Sequence, residues 1–367
     1  MSTVEKPNKL TQGQLPRWTW IAVLAGALVL SAALMAVVGF NIAGWLVISA
    51  LVFVVAITAV TYFVEGGRKA TNTFWSALVV LAFLLALVPL ISVIWTVLSI
   101  GAKGLMAPGF LGSDMNGITG VVDQASQNEN LDVFGGIKHA LIGSLMITLV
   151  ATIISVPIGL LTSIYLVEYS RDNWFSRAIT FFVDVMTGIP SIVAGLFAAG
   201  LLTLIVGPGN FRMGFTASVA LSVLMIPVVV RSTEEMLRVV PNELREASYA
   251  LGVRKWRTIL KVVIPTAISG IASGVTLAIA RVIGETAPIL VTAGVATQTN
   301  WNMFHDWMMS LPVFIYRQLM NPTAPAATDP STQRAWGAAL VLIIVVMLLN
   351  LLARVIAKAF APKKSGR

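Results

Sequence analysis

The sequence contains no cysteine among its 367 residues and only two histidines, His139 and His305. Without thiols the chain forms no disulfide bond, holds no iron–sulfur cluster and has no cysteine nucleophile. The two histidines lack the spacing of metal ligands, so we expect no metal site. Charged residues are also scarce, at 11% against about 25% in an average soluble domain. These shortages exclude an ordinary soluble enzyme.

Hydrophobic residues are abundant, at 57% of the chain, and the mean hydropathy is +0.86. They fall into long runs with few charges, and a run of 18 or more such residues is typical of a membrane helix. We therefore predict an all-α, polytopic integral membrane protein with about eight transmembrane helices. The spans are predicted at roughly 18–40, 44–64, 74–100, 139–167, 177–206, 214–231, 262–294 and 335–353.

The distribution of basic residues predicts the orientation of these spans. With both termini in the cytoplasm, 19 of the 25 Lys and Arg residues lie on the inner side, which obeys the positive-inside rule. The net charge of +9 is then explained without nucleic acid as a partner. We expect a multi-pass protein of the bacterial cytoplasmic (plasma) membrane.

Two polar segments, 101–137 and 295–334, are predicted to lie outside the cell. In the second segment Trp301, Phe304 and Met308 would share one face of an interfacial helix. Such a helix would form either a lid resting on lipid headgroups or a docking surface for an external partner.

The cytoplasmic loop 231–261 contains a short predicted helix, from Asn242 to Leu251. Pro241 and Asn242 form a typical helix start, and Gly252 is a natural stop. Leu244, Ala247 and Leu251 would give the helix an apolar stripe, so we expect it to lie against the inner membrane surface.

The spacing in this loop resembles the EAA motif of ABC importer permeases. That motif is Glu-Ala-Ala, three residues, Gly, nine residues, then Ile-x-Leu-Pro. Here Glu246-Ala247-Ser248 stands for the triplet, Gly252 follows after three residues, and Val262-Val263-Ile264-Pro265 follows after nine more. The resemblance implies an ATPase-coupling helix, with the residues Glu243, Glu246, Ala247, Ser248, Gly252 and Pro265.

In that family the coupling helix docks in a cleft of an ATP-hydrolysing subunit. This sequence has no Gly-x-x-x-x-Gly-Lys-Ser/Thr phosphate-binding loop. We therefore expect a transport subunit rather than an enzyme. It would hold no cofactor of its own, since ATP would be bound and hydrolysed by a separate partner chain.

Three further stretches resemble the permeases of phosphate-specific transport systems, of the PstA type rather than the PstC type. They are Gly188-Ile-Pro-Ser-Ile-Val-Ala-Gly195, Arg281-Val-Ile-Gly-Glu-Thr-Ala-Pro288 and Leu311-Pro-Val-Phe-Ile-Tyr316. The resemblance implies a type I ABC importer permease core for inorganic phosphate. It also implies three partners: a PstB-like ATPase dimer inside, a PstC-like second permease, and a PstS-like phosphate-binding protein outside.

The resemblance covers about residues 74–360, which would form the permease domain. Residues 1–73 would form a cytoplasmic tail with two extra transmembrane helices, and 361–367 a basic cytoplasmic tail. The sequence suggests no role for the two extra helices.

Arg281 and Glu285 stand four residues apart in a predicted span, so they would share one helix face. Each charge at membrane depth costs about 2.5–3.5 kcal/mol on insertion scales, so such charges usually face a partner helix or a water-filled path. The pair would either hold helices together or contact substrate, with Thr286 and Ser191 completing the substrate path. Arg suits phosphate oxygens, and Glu285 could accept a hydrogen bond from the hydroxyl of hydrogen phosphate.

Other polar and small residues have plainer interpretations. Gly188, Pro190 and Gly195 would loosen one span. Gly270 and Gly274 would form a tight packing face, to which a partner permease could supply the opposing helix. Asp184 would cap its span or snorkel. Two alternatives stay open at this point: another oxyanion as cargo (sulfate, molybdate or phosphonate), or a proton-coupled secondary transporter using Arg281, Glu285 and Asp184.

Overall fold

The computed structural model describes residues 15–16, 18–129, 131–170 and 173–360. Every regular element within these ranges is helical, which confirms the predicted all-α class. Seven helices are long and apolar enough to cross a membrane, and eight spans result if one bent pair is counted as a single span. The predicted tail 361–367 lies outside the described residues, as does the N-terminal segment before residue 15.

The helices, in chain order, have the following bounds. They are α1 Thr19–Val38, α2 Ile42–Glu65, α3 Gly67–Leu105, α4 Gly120–Asn128, α5 Lys138–Ile164, α6 Trp174–Thr187, α7 Ser191–Val206, α8 Gly214–Val239, α9 Asn242–Ala250, α10 Lys255–Thr258, α11 Ile264–Val282, α12 Ala287–Thr292, α13 Leu311–Met320 and α14 Asp329–Phe360. Two π-helical turns occur, Tyr165–Tyr169 at the end of α5 and Ile259–Val263 before α11.

The chain divides into two compact units between Trp95 and Thr96, inside α3. The first unit contains α1, α2 and the beginning of α3, with a small core of Val54, Ile57 and Ala77. The indole N–H of Trp45 donates to the carbonyl of Leu28 at 3.0 Å, which ties α2 to α1. The predicted division at residue 73 stays a prediction.

Helix α8 is the most enclosed of the candidate spans and forms the centre of the second unit. Its small side chains allow close approach to α5, where the hydroxyls of Ser218 and Ser222 donate to the carbonyls of Ile147 and Ala151 at 3.1 and 3.4 Å. A Cβ added at Gly159 of α5 would lie only 2.6 Å from Val229. Small residues therefore set this packing, as is common between membrane helices.

Gly270 and Gly274 of α11 pack against Met236 and Ser232 of α8. The predicted small-residue face is therefore present, but its opposing helix comes from the same chain and not from a partner. The expectation of an opposing helix from a second permease at these positions was wrong, because α8 continues to Val239 and reaches them.

A buried ion pair organises the segments around the beginning of α14. Arg334 and Asp123 of α4 have fully buried side chains, and their atoms Nη1 and Oδ1 are 2.9 Å apart. Arg334 also donates to the carbonyl of Phe134 at 2.8 Å and to Gln318 of α13 at 3.4 Å. One guanidinium thus joins α4, α13 and α14.

Two predicted spans are interrupted. The span predicted at 177–206 breaks into α6 and α7, which meet at an angle of 112°. Gly188 ends α6, and Pro190 sits in an extended conformation (φ −58°, ψ 137°) just before α7 begins. The span predicted at 262–294 ends at Val282, and the short helix α12 follows after a turn.

The prediction of an interfacial helix around Trp301, Phe304 and Met308 was wrong. Residues 295–310 form turns, because side-chain hydrogen bonds replace helical ones. The side-chain amide of Asn300 donates to the backbone carbonyl of His305 at 2.7 Å. The side-chain oxygen of Asn302 accepts from the backbone N–H of Phe304 at 2.9 Å. Met308 points inward and is 1% exposed, whereas Trp301 and Phe304 are exposed.

Candidate functional site

Helix α9 is the predicted coupling helix, and its end is set by a glycine. Gly252 has φ +74°, in the left-handed region that favours glycine. Its N–H donates to the carbonyl of Tyr249 at 2.9 Å, and the N–H of Val253 donates to Ser248 at 3.2 Å. The predicted helix stop at Gly252 is confirmed, although α9 ends at Ala250, one residue earlier than expected.

The two faces of α9 differ in what they contact. Ser248 is buried, and its hydroxyl lies 2.8 Å from the hydroxyl of Thr258 in α10. The motif residues Glu243, Glu246 and Ala247 are exposed on the other faces. Ser248 therefore anchors the helix, whereas the acidic residues and Ala247 remain accessible to a partner.

The apolar stripe of α9 is not covered by the rest of this chain. Leu244 is 42% exposed and Leu251 is 83% exposed. An exposed apolar stripe beside acidic residues on a short, firmly held helix has the character of an interaction surface.

An ion pair that sequence reasoning missed holds α9 to the body. Arg245 donates to Glu168 from Nε at 3.0 Å and from Nη2 at 2.8 Å, and both side chains are nearly buried. The same guanidinium donates to the carbonyls of Leu237 and Val240 at 2.9 and 2.6 Å. Arg245 thus links α9 to the ends of both α5 and α8.

Glu168 lies in the π turn Tyr165–Tyr169, and the other π turn, Ile259–Val263, precedes α11. Both widened turns sit at the ends of the spans that contact α9. Pro265 explains the second one, because it lacks the N–H that would bond to the carbonyl of Lys261 in an α-helix. Single π turns are frequent at functional sites in helices.

Burial raises the pKa of Tyr249 on α9, and the negative charge of Glu168 raises it further, against the opposing effect of Arg245. The Tyr249 hydroxyl therefore keeps its proton at neutral pH. It adds no negative charge to the acidic outer faces of α9.

The two interruptions in the spans lie close to each other. A Cβ at Gly195 of α7 would be 2.8 Å from the Cα of Pro288 in α12, so the beginnings of these helices pack tightly. Ser191 is the first residue of α7 and Thr286 precedes α12, and both are half-buried. Two of the predicted path residues therefore stand at helix starts on adjoining elements.

Arg281 and Glu285 do not share a helix face as expected. Helix α11 ends at Val282, and the N–H of Glu285 donates to the Val282 carbonyl at 3.1 Å in a turn. Of the six ion pairs found among the described residues, none joins these two side chains. Arg281 is exposed and Glu285 is half-buried.

Asp184 of α6 forms an ion pair with Arg231 of α8. Arg231 also contacts Glu234 at 2.9 Å, and Glu234 contacts Arg238 at 2.6 Å. Asp184 therefore takes part in a charged network that joins α6 to the C-terminal part of α8.

Comparison with known proteins places these features in a family. Residues 155–366 match the family model described as "Binding-protein-dependent transport system inner membrane component". The chain is 45% identical over 289 residues to "Phosphate transport system permease protein PstA 1" of Mycobacterium tuberculosis (strain H37Rv), covering 79% of this chain and 88% of that one. It is 41% identical over 231 residues to "Phosphate transport system permease protein PstA" of Yersinia pestis, covering 63% and 74%.

Among solved structures, the chain is similar to an inward facing conformation of the MetNI methionine ABC transporter. The TM-score is 0.48 at 20% identity, covering 60% of this chain and 94% of the other. From the matches in sequence, this chain belongs to the family of binding-protein-dependent transport system inner membrane components and, within it, to the PstA phosphate transport permeases.

Proposed function

We propose that this chain is the membrane-spanning permease subunit of an ATP-driven importer of inorganic phosphate and forms half of its translocation path. The observation that carries the proposal is α9, a short helix anchored by Arg245 and Ser248 whose apolar stripe and acidic residues face outward. The 45% identity to a PstA protein supports phosphate as the cargo.

The ATPase is a separate, PstB-like dimer that receives α9 in a cleft on the cytoplasmic side. When the ATPase moves α9, the Arg245–Glu168 pair transmits the motion to α5, and the Ser248–Thr258 contact transmits it towards α11. The carbonyls of Leu237 and Val240 connect the same helix to α8. One docking element therefore acts on three spans, and this chain needs no nucleotide of its own.

A PstC-like permease completes the path, and a PstS-like protein delivers phosphate from outside. Arg281, Glu285, Thr286 and Ser191 contact the phosphate ion as it passes. The guanidinium fork of Arg281 binds anionic oxygens, and Glu285 accepts a hydrogen bond from the phosphate hydroxyl. Sulfate at neutral pH has no such hydroxyl, which gives a chemical basis for discrimination.

Uptake of labelled phosphate tests this proposal in cells that lack their own high-affinity phosphate permeases and express the full set of subunits. We expect phosphate uptake to require an ATPase with an intact phosphate-binding loop. Excess sulfate, molybdate or phosphonate should not block this uptake. Strong competition by one of these would assign that oxyanion as cargo instead. Uptake that persists with an inactive ATPase and collapses with a proton uncoupler would favour the secondary transporter.

The path is tested with Arg281→Gln, Arg281→Lys, Glu285→Gln and the double variant Arg281→Gln/Glu285→Gln. Because no ion pair joins the two side chains, we expect no recovery of uptake in the double variant. The Lys variant also transports poorly, since a point charge does not replace a planar fork. Uptake is normalised to folded permease in the membrane, and near-normal uptake in the double variant would contradict a substrate contact.

A further inference from the structure

The angle between α6 and α7 sets α6 close to the plane of the membrane. Helix α7 is an uncharged run of 16 residues, and α6 turns away from it by 112°. With α7 along the membrane normal, the axis of α6 lies about 22° from the membrane plane. A tilt of α7 by about 20°, the average for membrane helices, still leaves α6 nearer to the plane than to the normal.

The exposed surface of α6 is mainly aromatic. Trp174, Phe181 and Val185 are all exposed, and they follow one line along the helix at spacings of seven and four residues. Phe175 and Phe182 are exposed beside this line and widen it into a face. Tryptophan and other aromatic side chains are favoured where a membrane meets water.

The other sides of α6 are polar or buried. Ser176 and Val183 are its buried residues, and the helix packs against α8. Asp184 is exposed and pairs with Arg231 of α8. Arg177 is exposed and takes part in none of the ion pairs formed by the residues that the structure describes. Because charges at the bilayer centre cost about 2.5–3.5 kcal/mol each, this composition fits the level of the headgroups.

Helix α6 lies on the same side of the membrane as α9. Arg231, the partner of Asp184, is followed by the last two turns of α8 and then by α9. Glu168, which binds Arg245 of α9, precedes the start of α6 by a few residues. The lipid leaflet next to α6 is therefore the one beside α9, on the predicted cytoplasmic side.

We propose that α6 is an interfacial helix that binds the phospholipid leaflet beside α9. Its aromatic face lies about 5–10 Å below the phosphates, and the Arg177 guanidinium binds a headgroup phosphate. Two observations favour phospholipid as the occupant of this face. The positive charge of Arg177 complements the phosphates, and the face continues into the exposed apolar surface of α7 at Ile192, Val193 and Leu196.

Spin labels measure the depth of α6 directly, and the lack of native cysteine makes single labels possible. Trp174→Cys, Phe181→Cys and Val185→Cys each carry one nitroxide in the full-length chain, assembled with the partner subunits in vesicles of phosphatidylethanolamine and phosphatidylglycerol. Accessibility to oxygen relative to a water-soluble nickel chelate gives the depth of each label. We expect all three labels at about 5–10 Å. In a helix that crosses the membrane, the first and last labels would differ by about 16 Å in depth.

Two labelled variants calibrate the measurement. Thr187→Cys, at an exposed position on the polar side of α6, should be more accessible to the nickel chelate than Val185→Cys. Leu85→Cys, at an exposed position in the middle of α3, should report a deep site.

The charge is tested with Arg177→Glu in the protein labelled at Trp174→Cys. The label should move outward in vesicles that contain phosphatidylglycerol, because anionic headgroups repel the new carboxylate, and less so in phosphatidylcholine. Arg257→Glu, at an exposed arginine of α10, is the matched control and should not move the label. Equal shifts in the two variants would overturn the role of Arg177.

A depth that increases steadily from Trp174 to Val185 and reaches the bilayer centre would overturn the proposal. Labels shielded from both oxygen and nickel chelate would place protein on this face and would overturn it as well, as would three labels in bulk water. Transport plays no part in the measurement, so its result is independent of the cargo.

Discussion

At the scale of single residues, Gly252 ends α9 through its backbone alone. Its φ is +74°, and a Cβ added there would meet nothing within 4 Å. Alanine would therefore fit sterically but would resist the left-handed conformation.

We expect Gly252→Ala to lower the stability of the α9 region by about 1 kcal/mol and to reduce substrate-stimulated ATP turnover while the permease still inserts. Gly26→Ala is the matched control, since Gly26 lies inside α1, has nothing within 4 Å of its Cβ position and has no positive φ. Hydrogen exchange of the segment 248–253 and ATP turnover with the partner subunits are the measurements. Equal behaviour of the two variants would show that the backbone conformation at Gly252 does not matter.

Asp114 joins two of the polar segments predicted to be external. Burial alone would raise its pKa, but hydrogen bonds from the N–H of Asn116 and from the N–H and hydroxyl of Thr299 outweigh burial and lower it. A pKa below the ordinary value of 3.8 means that the ionised carboxylate is bound more favourably in the folded state. Its contribution to stability is therefore present above that value and is lost as the pH falls through the lower folded-state pKa.

We expect the difference in melting temperature between the unmodified protein and Asp114→Asn to be constant from pH 7 to about 5 and to shrink below 3.8. Asp132→Asn, at an exposed carboxylate, is the control and should show no such trend. A difference that grows towards acid pH would reverse the sign and refute the role of the carboxylate.

Residue-level chemistry could be predicted only where it is local in sequence. The turn at Gly252 follows from one residue type at a helix end. The pairing of Arg245 with Glu168 spans 77 positions, and no spacing rule connects them. The signal that was available was Glu168, an acidic residue at the end of a predicted span, where a buried carboxylate needs a cation beside it.

At the scale of elements, the Arg245–Glu168 pair attaches α9 to α5. Removing one partner leaves a buried charge unpaired, which typically costs about 3–5 kcal/mol, whereas removing both costs less than the sum. We expect Arg245→Gln and Glu168→Gln each to lower thermal stability strongly and the double variant to recover part of it.

Coupling should not recover in the double variant, because the mechanical connection is absent in all three. Substrate-stimulated ATP turnover, compared with stability in the same preparations, separates the two effects. Arg257→Gln, at an exposed arginine of α10, is the control for lost charge. Normal stimulation in a folded double variant would argue that α9 transmits motion without this pair.

The breaks in the spans are features that hydropathy does not predict. Residues 177–206 have the apolar composition of one helix, and composition does not report a bend of 112°. Gly188 and Pro190 predicted loosening but not its extent, since proline also occurs inside the continuous helices α3, α5 and α8. No proline marks the end of α11 at Val282. The four-residue spacing of Arg281 and Glu285 therefore predicted a shared helix face that does not exist.

At the scale of the whole molecule, the orientation in the membrane rests on the basic residues. We expect a cysteine at Val121, which is 75% exposed in α4, to react with an impermeant thiol reagent added to intact cells. A cysteine at the exposed Ala247 of α9 should react only after permeabilisation, in cells without the ATPase partner. The absence of native cysteine keeps the background low. The opposite labelling pattern would show that the chain has the opposite orientation in the membrane.

The membrane class and the positions of most spans were predictable, because long apolar runs are read directly from composition. The packing within the second unit was not. Gly270 and Gly274 pack against this chain because α8 extends as far as Val239. The polar end of α8 lacks the apolar composition of a span, so hydropathy did not predict how far the helix continues.

The buried pair of Arg334 and Asp123 also imposes an order on synthesis. Asp123 emerges from the ribosome 211 residues before its cation does. Until α14 is inserted, α4 has an unneutralised carboxylate, and Gln318 and the carbonyl of Phe134 lack their donor. A chain truncated before Asp329 would keep this cluster unsatisfied, so the packing of α4 and α13 is completed only when α14 supplies Arg334.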